Sequence, residues 1–218
     1  AGTRLLVETL RDLKHKPELL ICASAIGFYG NRGEVWLDEQ SGCGQGFLSD
    51  VCKEWESEAS AAGALGVRVI LLRLGLVLSR EGGIYPQLMV FFRAGLGARF
   101  GSGHQYVSWI GIEDVCGAVE FLIDKQNIKG PVNLTAPTPV SNREFTVALA
   151  AAVGRRAWLQ VPVSVLHLLL GRQMADEVLL SSTRVSPKVL LGAGYRFRYS
   201  TLEAWLQSWH EAGATTLG

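Results

Sequence analysis

Ser24 and Tyr29 stand at the end of an apolar run, Leu19-Leu20-Ile21-Cys22-Ala23, where the chain turns through Ala25-Ile26-Gly27-Phe28 toward Gly30. In an open α/β sheet the ligand lies in the crevice beyond the carboxyl ends of buried parallel strands, so a polar turn after such a strand is a candidate site. A hydroxyl and a phenol can both carry a proton. A phenol with a reference pKa of about 10 needs electrostatic help to do so near neutrality. Ser24 can equally satisfy backbone groups at the strand end, and Tyr29 can pack the loop. Lys53 lies on the next helical segment beside Glu54 and Glu56, where a solvated charge is the competing reading. His104 and Gln105 follow Gly101-Ser102-Gly103, and glycines allow a ligand to approach the backbone closely. Cys22, Cys43, Cys52 and Cys116 form no Cys-x-x-Cys pair and have no His at metal-ligand spacing. They read as free thiols of a reducing compartment, with no metal site, and Cys22 and Cys116 as small core residues.

The elements that must position these side chains follow from periodicity. Leu5, Leu6, Leu10 and Leu13 mark one face of a first helix that ends near Lys14–Lys16, before Pro17. Leu19–Ala23 and Val67–Arg73 read as strands buried on both sides, with a helix over Phe47–Ala62 between them and a Gly-rich loop over Asn31–Gln45. Further on, the pattern predicts a helix over Tyr85–Ala94, a loop over Gly95–Gly103 and a strand over Tyr106–Ile110. A helix then runs from about Glu113 to Asp124 with Asp114 in its first turn, followed by a strand over Pro131–Leu134. Asn142–Val153 is a helix capped by Ser141 or Asn142. The last part is helical with one strand candidate, Tyr195–Tyr199, and a closing helix with Leu202, Leu206 and Trp209 as its stripe. Helices alternating with strands over short connections argue for a parallel sheet covered by helices.

A chain of 218 residues can bury one sizeable core, or one domain with a small appendage. Hydrophobic residues make up 48% and charged residues 19%, which excludes disorder, and a net charge of +1 argues against a nucleic-acid partner. No apolar run is long enough to span a bilayer and no secretory signal is visible, so the expectation is a cytoplasmic protein without membrane contact. The sequence opens at Ala1 within an amphipathic helix, as a fragment or processed chain would.

Several blocks together resemble the epimerase-family branch of the extended short-chain dehydrogenase/reductase superfamily. They are Ser24–Gly30, Phe47 with Cys52 and Trp55-Glu56, Leu72–Leu78, Gly82-Gly83, Gly101–Tyr106, Trp109-Ile110, Asp114, Ser181–Lys188 and Ala193–Phe197. The resemblance covers nearly the whole chain in the family's order. It implies an α/β fold: a parallel Rossmann-like sheet, truncated at its N-terminus, with a smaller, mostly helical substrate lobe. Residues 1–136 would be the rear part of the dinucleotide-binding domain, with 79–110 contributing to the substrate lobe, and 137–218 the C-terminal lobe.

The resemblance also implies roles. Ser24 would orient substrate and touch the cofactor, and Lys53 would hold the nicotinamide ribose; a Tyr at the position of Tyr29 ordinarily packs the loop or contacts substrate, and here Tyr29 or a bound water would handle the proton. Leu74, Gly75, Leu76 and Val77 would run along the nicotinamide, while His104 and Gln105 would line the substrate pocket. Read on their own charge rather than from the resemblance, Arg184 and Lys188 offer cations to an anionic group, with surface positions the preferred reading. The cofactor would be NADP or NAD. The substrate would be a small molecule such as a sugar nucleotide, and the apolar C-terminal helices would be core or a homodimer face. Two features depart from the superfamily. No Gly-x-x-Gly-x-x-Gly turn opens a helix here, so this chain is expected to bind dinucleotide weakly or not at all. The Tyr-x-x-x-Lys tyrosine is also missing: with Lys53 as the lysine, Ser49 takes its place, and in the register set by Glu56 it is Leu48, with Cys52 as the lysine. An NAD(P)-dependent epimerase, dehydratase or reductase and a catalytically weak or inactive dinucleotide-binding regulator are the two readings.

Overall fold

The computed structural model describes residues 2–214, with side chains through residue 208. In chain order its main elements are α1 (Gly2–Asp12), β1 (Leu19–Ala25), α2 (Phe47–Ser60), β2 (Arg68–Leu74), β3 (Leu76–Leu78) and α3 (Ile84–Arg93). They continue with β4 (Trp109–Gly111), α4 (Ile112–Asp124), β5 (Gly130–Leu134), α5 (Asn142–Ala151), α6 (Val163–Leu170) and α7 (Leu202–Ala214).

The centre is a parallel sheet in the order β1-β2-β5, with Ile21 opposite Ile70 and Leu72 opposite Val132. Its middle strand explains the layering. Successive side chains of a strand point to opposite faces. Val69 and Leu71 therefore pack with Val7 and Leu10 of α1 and Ala59 of α2, while Ile70 and Leu72 pack with Ala118 and Leu122 of α4 and Val132 of β5. Each such aliphatic side chain removed from water contributes about 1.5–3 kcal/mol. A nearly continuous apolar run is the sequence signature of two covered faces; both expected strands are present, but only β2 is buried throughout its middle, whereas β1, at the sheet edge, is half-buried with Ala23 exposed.

A second core joins β3, which pairs in parallel with β4, to the C-terminal lobe: Leu78, Tyr85, Met89, Trp109, Phe145, Leu149, Leu202 and Trp205 share one cluster. Helix α5 begins with a capping box, in which Ser141 accepts from the Glu144 N–H while the Glu144 carboxylate accepts from the Ser141 N–H.

Four expectations change. Of the expected face of α1 only Leu10 is buried; Leu5, Leu6 and Leu13 are exposed and Val7 joins Leu10 in the core, because the helix packs through one narrow stripe. The single strand expected over Tyr106–Ile110 is two: Tyr106–Val107 pairs antiparallel with Val140–Ser141, and β4 pairs with β3. Tyr195–Tyr199 is not a strand, because the Arg198 and Tyr199 N–H groups donate to the Asp114 carboxylate rather than to a neighbouring strand. That buried carboxylate also accepts from the Tyr195 hydroxyl, so Asp114 anchors the C-terminal lobe to the sheet as well as opening α4. Cys116 is exposed rather than core. Leu202 and Leu206 are buried as expected, and the Trp209 side chain lies outside the described residues.

Candidate functional site

At Ala25, β1 passes into a 3-10 turn, Ile26–Tyr29, beyond the carboxyl edge of the sheet. The following loop folds back so closely that a Cβ on Gly44 would lie 2.1 Å from the Tyr29 carbonyl oxygen, and the Gly44 N–H donates to the Phe28 carbonyl at 2.8 Å. Next to β1, Leu74 pairs with Ala25, and the chain continues through Gly75 into β3. A Cβ on Gly75 would meet the Ser108 carbonyl oxygen at 2.6 Å, so only glycine allows the two segments to cross here. Leu74, Gly75, Leu76 and Val77 are half-buried at this edge. Leu74 and Val77 pack against the core of the sheet and α4, and Leu76 against the second core.

Behind that edge lies a closed polar chain. Ser24 donates to Oε1 of Glu56 at 2.8 Å, and Arg73 grips the same carboxylate with Nε on Oε1 at 2.8 Å and Nη2 on Oε2 at 2.7 Å. The third arm of Arg73, Nη1, donates to the Tyr29 hydroxyl at 3.0 Å, and Tyr29 donates onward to Asn133 Oδ1 at 2.7 Å. The guanidinium carbon sits 3.6 Å from the centroid of the Phe28 ring. Glu39 completes the chain, with one oxygen accepting the N–H groups of Asn133 and Val189. Ser24, Tyr29, Glu39, Glu56, Arg73 and Asn133 are all buried.

Charge in such a place survives only when paired and hydrogen-bonded. Burial lowers the Arg73 value, but the hydrogen bonds from Glu56 and Tyr29 outweigh it and hold the guanidinium above its ordinary range. Burial pushes the Tyr29 phenol up, against the opposing pull of Arg73 and Asn133. Burial likewise raises Glu39, whose second oxygen has no partner.

The structure therefore brings Ser24 and Tyr29 into one network but turns both hydroxyls inward. Lys53 is not joined to them; it stands on the exposed face of α2. Ser49, at the position of the missing tyrosine in the Lys53 register, donates to backbone carbonyls of Gly27 and Gln45. His104 is exposed, whereas Gln105 is buried and donates its amide to the Phe100 and Leu179 carbonyls, tying its loop to the C-terminal lobe. Glu56, Arg73, Asn133 and Glu39 were not among the expected site residues. A lone arginine inside the apolar run Val69–Leu74 was the available signal, since such a charge requires a partner.

The crevice is closed on its far side by the C-terminal lobe. Glu177 reaches the start of α2, where its carboxylate accepts the Phe47 and Leu48 N–H groups at 3.1 and 2.8 Å. Between this contact and the β1 turn lies a cavity of about 180 Å³, lined by Gly30, Asn31, Gln45, Ser49, Asp176 and Ser181 among others. Among the described residues no group of three His, Cys, Asp or Glu could hold a metal ion, and no helix is long and apolar enough to cross a membrane.

Parallel strands covered on both faces, with a crevice beyond their carboxyl ends and a helical lobe over it, define the Rossmann-like fold of the extended short-chain dehydrogenases/reductases. Residues 161–209 match a family described as a domain of unknown function (DUF1731). The epimerase family protein Mb2239 of Mycobacterium bovis is 45% identical over 183 residues, which are 84% of this chain and 60% of that protein. The human epimerase family protein SDR39U1 is 33% identical over 206 residues, 94% of this chain and 70% of that protein. A crystal structure of human SDR39U1 (isoform 2) with NADPH superposes with a TM-score of 0.87 at 31% identity, covering 95% of this chain and 70% of that one. The chain belongs to the epimerase family. It spans about three fifths of the length of the mycobacterial relatives it matches.

Proposed function

We propose that this chain forms the nicotinamide and substrate side of an NAD(P)-dependent epimerase, dehydratase or reductase. It would act on a carbonyl or alcohol of a small molecule, with a sugar nucleotide as the leading candidate. The observation that carries this reading is the break from β2 into β3 between Leu74 and Leu76, next to the β1 turn and at the sheet edge where an open α/β fold binds its ligand. The relative crystallised with NADPH has the same fold over 95% of this chain.

The residues present fit the nicotinamide end of such a cofactor. Leu74, Leu76 and Val77 are half-buried aliphatic side chains at this edge, and Gly75 lets the backbone pass close against Ser108 and Thr135. When bound, the cofactor supplies hydride transfer. This chain's own residues orient the ring, exclude water from one side of it, and hold the β1 turn rigid through Arg73 and Glu56. A Gly-rich pyrophosphate turn is not in this sequence, which spans about three fifths of the length of its mycobacterial relatives.

A second reading, a dinucleotide-binding regulator with little turnover, draws support from the inward-facing hydroxyls of Ser24 and Tyr29 and the exposed Lys53. NADPH and NADH binding and turnover, measured on this chain and on a full-length relative, test both. Dinucleotide binding by the longer protein, much weaker in this chain, is expected; none in either defeats both readings. Turnover unchanged in Tyr29→Phe and Ser24→Ala removes those two residues from the chemistry, and its loss restores them.

A further inference from the structure

Two buried-edge arginines differ in one respect. Arg73 has donors on Glu56 and Tyr29, whereas Arg184 has none placed on any acceptor. Arg184 lies in the two-residue strand Arg184–Val185, paired in parallel with Trp36–Leu37 so that Arg184 faces Trp36. Its flanks are fixed: the Val185 N–H donates to Ser108 Oγ at 2.9 Å, Ser108 donates to the Thr183 carbonyl, and Asn133 donates its amide to the Ser186 carbonyl. The segment thus lies against the carboxyl end of β5, next to the β1 turn. Val185 is buried against Tyr29 and Leu37, and Arg184, next in the alternation, points away from that cluster.

There the Arg184 guanidinium carbon lies 4.2 Å from the Trp36 ring centroid and 4.5 Å from that of Tyr106. The rings seat the cation on their faces, and the guanidinium makes no hydrogen bond to either residue. Nε is shut off from solvent and has no partner, and no carboxylate reaches the guanidinium. Arg99, the other arginine with such an Nε, has Nη2 on Gln160. The neighbouring Lys188 is already paired with Asp38 at 3.0 Å. A fixed guanidinium with all its N–H groups free is suited to grip a planar or tetrahedral oxyanion with paired hydrogen bonds.

We infer that Arg184, on its seat of Trp36 and Tyr106, is the subsite that binds an oxyanion, a carboxylate or a phosphate, of the crevice's small-molecule ligand. The inference rests on the proposed crevice only in giving the oxyanion to that ligand; binding of the ion itself needs no dinucleotide.

The test follows the arginine Nε–Hε resonances of the 218-residue chain by NMR, without dinucleotide, in separate titrations with phosphate and malonate at constant ionic strength, with chloride as control. Arg184→Lys removes and so assigns the Arg184 resonance; if it does not fold, through-bond correlation from the Arg184 backbone assigns it instead. A saturable shift of that resonance with phosphate or malonate is expected, with roughly tenfold weaker binding in Arg184→Lys by calorimetry. A response to phosphate alone identifies a phosphoryl group, and one to malonate alone a carboxylate. No shift with either, or an equal shift with chloride, overturns the inference and leaves the dinucleotide reading untouched. Conversely, failed dinucleotide binding leaves a positive titration standing.

Discussion

Ser24 and Arg73 meet on a single oxygen, Oε1 of Glu56, each at 2.8 Å. Strand β1, strand β2 and helix α2 are thereby tied by one carboxylate at the edge of the sheet. The same arginine continues to the Tyr29 hydroxyl, so the turn over the crevice is braced from below.

Removing that carboxylate leaves Arg73 charged and buried without its main partner. Glu56→Ala is expected to cost about 3–5 kcal/mol, the range for breaking one side of a buried pair. Urea unfolding of the variant measures it. A loss within half a kilocalorie would mean that the pair is not buried as described.

Glu39 predicts a pH dependence. Burial raises its folded value above the unfolded reference of about 4.3, so its contribution is complete below that reference and is lost as pH rises through the folded value. Glu39→Gln keeps an acceptor for the two N–H groups without a buried charge. The variant should therefore gain on the wild type between pH 4 and pH 7, in unfolding free energies measured at both. A constant difference between the two proteins would contradict this.

Gly44→Ala forces a Cβ against the Tyr29 backbone, which has no flexible end to move aside. A loss of about 3 kcal/mol is expected, at the upper end of overpacking costs, together with a shift in the Tyr29 and Phe28 resonances. Wild-type stability in this variant would show that the loop does not fold back on the turn.

Glu177 caps α2 from the C-terminal lobe. Glu177→Ala should cost about 1 kcal/mol, with faster hydrogen exchange at Phe47 and Leu48. Because part of the effect is charge on a helix terminus, the loss should shrink in high salt. Unchanged exchange at those two amides would refute the cap.

How far the sequence reveals this architecture depends on how much pattern each element carries. Strands β1 and β2 are nearly continuous apolar runs and can be read directly, although only β2, in the middle of the sheet, is buried throughout its centre. Trp36–Leu37, Ala98–Phe100 and Arg184–Val185 are too short to show a period, so the first two pass as loop and the third as part of a helical stretch. Tyr195–Tyr199 has the composition of a strand, yet its backbone is claimed by Asp114, about eighty residues earlier, and no local pattern reports that. The β1 turn is legible as a position. The direction of its hydroxyls is not, because Ser24 turns inward only to meet Glu56, and Tyr29 only to meet Arg73 and Asn133.

The cap on α2 sets an order of events during synthesis. Phe47 and the carboxylate that secures its amide are 130 residues apart. While the chain emerges from the ribosome, the first turn of that helix stays open to fraying until the late-made lobe arrives. Chains halted before Glu177 should be nicked by protease near Gly46–Leu48, and chains halted after the lobe is complete should resist.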